Sequence, residues 1–158
     1  MITRRTLVVA ATAALGGLLP VPGHADPAAK AFLDKIYAAY KGKNSKGILL
    51  DSDASLRRYF EPSLVDLMIK DRKAAAKRGD VPELDGDPFV NAQDWEIGPV
   101  DVVVTDTAPD KATATVSFKN IDMPNKLVYA LLKLKTGWRI ADIDWGENGS
   151  LRGLYVKK

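Results

Sequence analysis

The strongest constraint on the fold is a change of hydrophobic period near residue 100. Before it, apolar residues recur at helical spacing. Behind Asp26-Pro27, a cap followed by proline in the first turn, Ala29, Phe32, Leu33, Ile36, Tyr37 and Tyr40 share one face, and Gly42 is expected to end the helix. Ser55 or Asp53 is placed to cap a short second helix with Leu56, Tyr59 and Phe60 inward. Pro62 opens a third, with Leu64, Leu67 and Met68 inward and Lys70 to Arg78 near its carbonyl end, before Gly79. After residue 100 the alternation has period two. Segments 100–106, 112–118, 126–135 and 138–145 read as strands rich in β-branched and aromatic residues, with turns at Asp106–Asp110 and Thr136-Gly137. Residues 150–155 read as a short closing helix. Helices first and a meander second predict an α+β domain, its helices packed on one face of a curved antiparallel sheet of four or slightly more strands.

The N-terminus predicts where this domain goes. Arg4 and Arg5 precede an apolar stretch from Leu7 to Leu19, and Gly23-His24-Ala25 puts small residues where a signal peptidase reads. The stretch is shorter than the roughly 20 residues that span a bilayer. Residues 1–25 are therefore expected to be a cleavable signal peptide, cut between Ala25 and Asp26, with residues 26–158 a single domain. Thr3-Arg4-Arg5-Thr6-Leu7 also resembles a twin-arginine export signal, although Val9 stands near where a lysine is common; the general secretory route stays open. The chain has no cysteine, so it offers no lipoprotein attachment site. The expected location is the periplasm or the cell exterior, without a stable membrane anchor after cleavage.

Cleavage changes the chemistry on offer. The signal segment carries two of the 23 basic residues and no acidic ones, leaving 21 against 20, a net charge of +1. The single histidine, His24, leaves with it. A mature chain without histidine or cysteine has no Ser-His-Asp or Cys-His catalysis, no imidazole or thiolate zinc site, no usual haem ligand and no disulfide. No cofactor is expected. The Lys70–Arg78 run lacks interleaved aromatics and reads as a solvated helix end rather than a nucleic-acid surface.

The segment LDGDPFVNAQDWEIG, residues 84–98, is the most unusual in composition. Counted from Asp85, an EF-hand would need an oxygen ligand at its fifth position and glycine at its sixth, where Phe89 and Val90 stand. That rules out an EF-hand and leaves only an irregular calcium site open. Asp87-Pro88 favours a turn, and Asp and Gln side chains satisfy loop backbone. Trp95 is expected to anchor the loop to the sheet, so the segment reads first as a structural joint. Ligand contact is a second duty open to it.

Two functional classes remain. As a binding module, the chain would use Asp87, Gln93, Asp94, Trp95, Tyr129, Trp138 and Asp142, with Tyr129 and Trp138 at the rim of a pocket for a small ligand, or would dock an exported protein partner, as an immunity-type protein docks a toxin. As a carboxylate enzyme, a hydrolase or isomerase, it would pair Asp142 and Asp144 on one strand face with Asp94 of the loop. The binding module is the favoured reading.

Asp87-Pro88, Gln93-Asp94-Trp95, the Trp138-Arg139-Ile140 strand and the closing Ser150-Leu151-Arg152 together resemble an exported bacterial family, domain-of-unknown-function family 3828. The order of elements is similar to the nuclear-transport-factor-two-like fold. The resemblance spans nearly all of residues 26–158 and implies a cone-like domain, with no agreed activity. Some members of that family are lipid-anchored, which a chain without cysteine is not.

Overall fold

The computed structural model describes residues 26–42 and 44–156; the expected signal segment lies outside the described residues. Three helices precede the sheet: α1 (Pro27–Ala38), α2 (Asp53–Tyr59) and α3 (Pro62–Arg78). Four strands follow: β1 (Asp101–Ala108), β2 (Lys111–Asn120), β3 (Met123–Leu134) and β4 (Gly137–Asp144). They form one antiparallel sheet in the order β1-β2-β3-β4, and two short 3-10 turns, Gly146–Asn148 and Arg152–Tyr155, close the chain. The protein is an α+β fold with its helices on one face of a curved meander.

Local chemistry explains each boundary. Asp26 caps α1 by accepting the Ala28 N–H, with Pro27 in the first turn. The helix ends at Ala38, earlier than Gly42, because Ala39 and Tyr40 already fold into a turn onto Ile36 and Tyr37. The cap of α2 is Ser52, not Ser55 or Asp53. Ser52 and Ser55 bond each other's backbone in a reciprocal capping box, so the helix begins one residue earlier than the apolar pattern suggests. Glu61 caps α3, and Gly79 ends it in the left-handed conformation at φ 68°.

The sheet alternates as its sequence does. Ala112, Ala114, Val116 and Phe118 of β2 are buried beside Leu127, Tyr129 and Leu131 of β3 and Ile140 and Ile143 of β4. Their opposite face carries Thr113, Thr115 and Ser117. Against the inner face sit Leu33, Ile36, Tyr37, Leu56, Leu64 and Met68 of the helices. The β3–β4 turn takes its left-handed residue at Gly137, φ 108°, after Lys135-Thr136, neither of which takes the positive φ that a two-residue primed hairpin needs. A bulge at Ala141 breaks the β3–β4 register, since Ala130 faces Asp142 while Leu131 faces Ile140.

Candidate functional site

The 84–98 segment is anchored in the core by Pro88, Phe89 and Val90. Phe89 and Val90 are fully buried, and Phe89 stacks on Phe60 with ring centroids 5.8 Å apart and planes 8° from parallel. Asp87 receives the Phe89 N–H on Oδ1 at 2.9 Å and the Tyr40 hydroxyl on Oδ2 at 2.6 Å. Burial raises the Asp87 carboxyl above its ordinary range, and those two donors only partly oppose it. Behind it, Tyr37 donates to the Phe89 carbonyl, and its hydroxyl shares a 2.8 Å hydrogen bond with Tyr129. Gln93 reaches back to the Asp85 carbonyl at 3.0 Å and closes the loop on itself.

Trp95 is held differently from the expectation. Its indole donates to Ser45 Oγ at 3.1 Å, and its ring meets Tyr40 edge-on at 5.4 Å, so it anchors the loop to the α1–α2 connection rather than to the sheet. Gly47 makes this possible: at φ 62°, a Cβ there would lie 2.8 Å from Tyr40 and 2.9 Å from Trp95.

Residues 94–98 then brace the β2–β3 hairpin. Asn120 receives the Glu96 N–H on Oδ1 and donates to the Asp94 carbonyl; Ile121 N–H reaches the Glu96 carbonyl, and Gly98 N–H the Lys119 carbonyl. The hairpin turn is Ile121-Asp122, closed by the pairing of Asn120 with Met123. Both turn residues are left-handed, Ile121 at φ 47° and Asp122 at φ 66°. Positive φ at two central residues is the primed turn that suits glycine and asparagine; a β-branched residue there is strained. Ile121 is nevertheless 61% exposed and Met123 68%. Beside the tip runs the largest concavity among those described, a groove of about 860 Å³ walled by Ile97, Pro99, Phe118, Lys119, Pro124 and Lys126.

Of the residues expected to form a site, Gln93, Asp94 and Trp95 do come together. They border a hollow of about 440 Å³ with Ser45 and Glu96, next to the groove. Asp87 does not line that hollow; its carboxyl sits on the Tyr40 hydroxyl. Tyr129 and Trp138 are inside rather than at a rim: Tyr129 is fully buried with its hydroxyl on Tyr37, and Trp138 is 4% exposed with its indole on Asp26. The reason is the inner-face parity of β3 and β4, which turns both rings toward the helices.

Asp142 and Asp144 share a strand face, but their oxygens serve the turns that follow the strand. Asp142 receives the Ile143 and Arg152 N–H groups and the Ser150 hydroxyl, while Asp144 receives the Gly146 N–H. No hydrogen bond joins either one to Asp94 among the described residues. No group of three or more metal-ligating side chains is placed to hold an ion among them either. No described helix is long and apolar enough to cross a membrane.

Two features had no sequence signal. One is the strained Ile121-Asp122 tip, because isoleucine argues against a primed turn. The other is the Glu61 carboxylate, 8% exposed, bound by Ser63 and by the Arg152 guanidinium from the far end of the chain. Burial pushes the Glu61 carboxyl up, but the Ser63 and Arg152 hydrogen bonds outweigh it and hold the group below its ordinary value.

No family model matches the chain, and no curated protein matches it in sequence. Solved structures similar to it include a chain of the type VI effector–immunity complex Tae3–Tai3 from Ralstonia pickettii, with TM-score 0.43, 20% identity, and coverage of 76% of this chain and 94% of that one. A second is a phospholipid-binding protein from Ralstonia solanacearum in complex with a phospholipid, with TM-score 0.44, 15% identity, and coverage of 84% and 83%. At these values neither likeness carries a role over to this chain.

Proposed function

We propose that the chain is an exported, non-enzymatic binding protein whose partner is another protein, docked on the β2–β3 hairpin tip and the groove beside it. The observation that carries this reading is Ile121, a β-branched side chain held in a left-handed turn and left 61% exposed beside Met123. Strain at an exposed apolar residue costs stability, and a contact elsewhere offsets that cost. The interior supports a surface mode of binding, since Tyr37, Phe60, Phe89 and Tyr129 fill the space between helices and sheet. Lys119, Lys126, Glu96 and Asp122 line the groove together with Ile97, Pro99, Phe118 and Pro124, a mixture of charged and apolar groups suited to a protein surface.

The finer reading belongs to the same proposal. The domain is a nuclear-transport-factor-two-like cone of the exported family 3828, processed between Ala25 and Asp26 and resident in the periplasm or outside the cell. An immunity-type protein that neutralises a toxin is one case of such a binder. The carboxylate-enzyme alternative has weaker support, because the Asp142 oxygens already hold the closing turn in place.

The test is site-specific photo-crosslinking in the exporting cell, with the reactive residue at Met123. The expected result is one discrete protein adduct that disappears in an Ile121→Asp variant of unchanged circular dichroism. Absence of any adduct, together with a small molecule co-purifying in native mass spectrometry, would overturn the protein-partner reading.

A further inference from the structure

Asp106 is a carboxylate with half of its hydrogen bonding missing. It lies on the inner face of β1, opposite Ala112 and just before the bulge at Asp106–Ala108. Its Oδ2 accepts the backbone N–H of Asp26 at 2.9 Å. Its Oδ1 is buried and has no hydrogen-bond partner among the described residues. A buried carboxyl oxygen without a donor is destabilising and calls for an explanation.

The surroundings fix the Asp26 nitrogen at that spot. The Asp26 side chain accepts the Ala28 N–H at 2.8 Å, Lys133 Nζ at 2.7 Å and the Trp138 indole N–H at 3.2 Å. The Lys133 hydrogen bond first, then the Ala28 N–H, hold the Asp26 carboxyl below its ordinary value. One residue thus joins α1 to β1, β3 and β4. The hydrogen-bonded charges there are one cation, Lys133, and two carboxylates, Asp26 and Asp106. On α1, Lys30 is paired with Asp34; Lys111 on β2 is exposed. The cluster is one positive charge short.

We propose that hydrolysis of the Ala25–Asp26 bond supplies it: the new α-ammonium of Asp26 sits on the Asp106 carboxylate and completes a four-charge cluster that locks the mature fold. Water adds across the peptide bond, leaving the carboxylate on Ala25 and the ammonium on Asp26. The peptide nitrogen has one N–H, already directed at Oδ2; the ammonium has three and supplies a donor for Oδ1. The inference rests on the cleavage position in the proposed function, and it makes that position matter to the fold. A chain cut one residue away would carry its ammonium beyond Asp106.

An α-amino group titrates at about 7.7–8.0 when unperturbed, and a carboxylate partner raises that value in the folded state. The stabilisation is therefore fully present below about pH 7.7 and is lost as pH rises through the raised folded value.

The experiment begins with the intact mass of the exported protein, which reports whether the mature chain starts at Asp26. Four recombinant chains are then melted between pH 6.5 and pH 10: one starting at Asp26, one starting at Ala25, and the same two with Asp106→Asn. The Asp26 chain is expected to melt about 3–6 °C above the Ala25 chain at pH 6.5, with the gap closing toward pH 10 and absent with Asp106→Asn. If the Asp106→Asn chains do not fold, the other two still decide. Equal melting of the Asp26 and Ala25 chains at every pH overturns the ammonium pair alone. A mature mass that does not begin at Asp26 overturns the cleavage position and the pair with it.

Discussion

The Tyr40 hydroxyl donates to Asp87 Oδ2 at 2.6 Å while accepting the Ile48 N–H at 3.1 Å. This one phenol joins the end of α1, the α1–α2 connection and the 84–98 loop. Tyr40→Phe removes a donor from a buried carboxylate and an acceptor from a backbone N–H. The expected loss is about 2–3 kcal/mol in urea unfolding. Because burial raises the Asp87 carboxyl, its contribution to stability is present below its ordinary value of 3.8 and is lost as pH rises through the raised value. Loss of the tyrosine donor raises the group further and moves that window to higher pH. A melting temperature unchanged in Tyr40→Phe would remove the hydrogen bond from any structural role.

Gly47 packs against the Tyr40–Trp95 ring pair with no room for a side chain. Gly47→Ala adds a methyl at 2.8 Å from Tyr40 and also strains a residue at φ 62°. Stability should fall by about 2 kcal/mol or more. Trp95 should move away from Ser45, which a shift in tryptophan fluorescence would report.

Ile121→Gly should act in the opposite direction. Glycine takes φ 47° without a Cβ clash, so the fold is expected to gain about 1 kcal/mol even though a side chain is lost. Chemical denaturation measures this directly. If the same variant also loses its crosslinked partner, stability and binding are opposed at one residue.

Arg152→Met isolates Glu61. The expected cost is about 2–3 kcal/mol, moderated because the Arg152 side chain remains 32% exposed. Glu61 is held below its ordinary value of 4.5 in the native protein. The stability it contributes is present above that pH and falls away as pH drops through the lowered value. The variant should show a weaker acid dependence in that window, measurable as melting temperature between pH 5 and pH 2.5. An unaltered acid limb would mean that Ser63 alone sets the Glu61 environment.

Much of the fold was legible because it follows from local pattern. The inner face of β2, Ala112 to Phe118, is read off a strict alternation, and α1 off the recurrence from Ala29 to Tyr40. The errors are local competitions. Ser52 took the α2 cap because its reciprocal bond with Ser55 satisfies two backbone N–H groups at once, which periodicity does not register. The hairpin tip was missed because primed turns are normally announced by asparagine and glycine, and Ile121 argues against one.

The site was less legible for a different reason. Gln93, Asp94 and Trp95 are adjacent in sequence and stay adjacent in space, so a motif could find them. Tyr129 and Trp138 are chemically suited to a rim, but which face of β3 and β4 turns inward is set by pairing with neighbouring strands. Asp142 offers the same carboxylate to a ligand, a reaction or a backbone turn, and its donors, Ser150 and Arg152, arrive from a segment that must first fold back onto β4.

By itself the sequence determined the α+β order of elements, the helix and strand faces, and the absence of histidine and cysteine chemistry from residues 26–158, because period and composition are local properties of the chain. The tertiary structure decided which polar groups meet across long separations: Tyr40 with Asp87, Glu61 with Arg152, and Asp26 with Asp106. Those pairs lie 47 to 91 positions apart along the chain. A carboxylate carries no mark in sequence of whether water, backbone or a distant cation will satisfy it; that is settled only when packing removes the water.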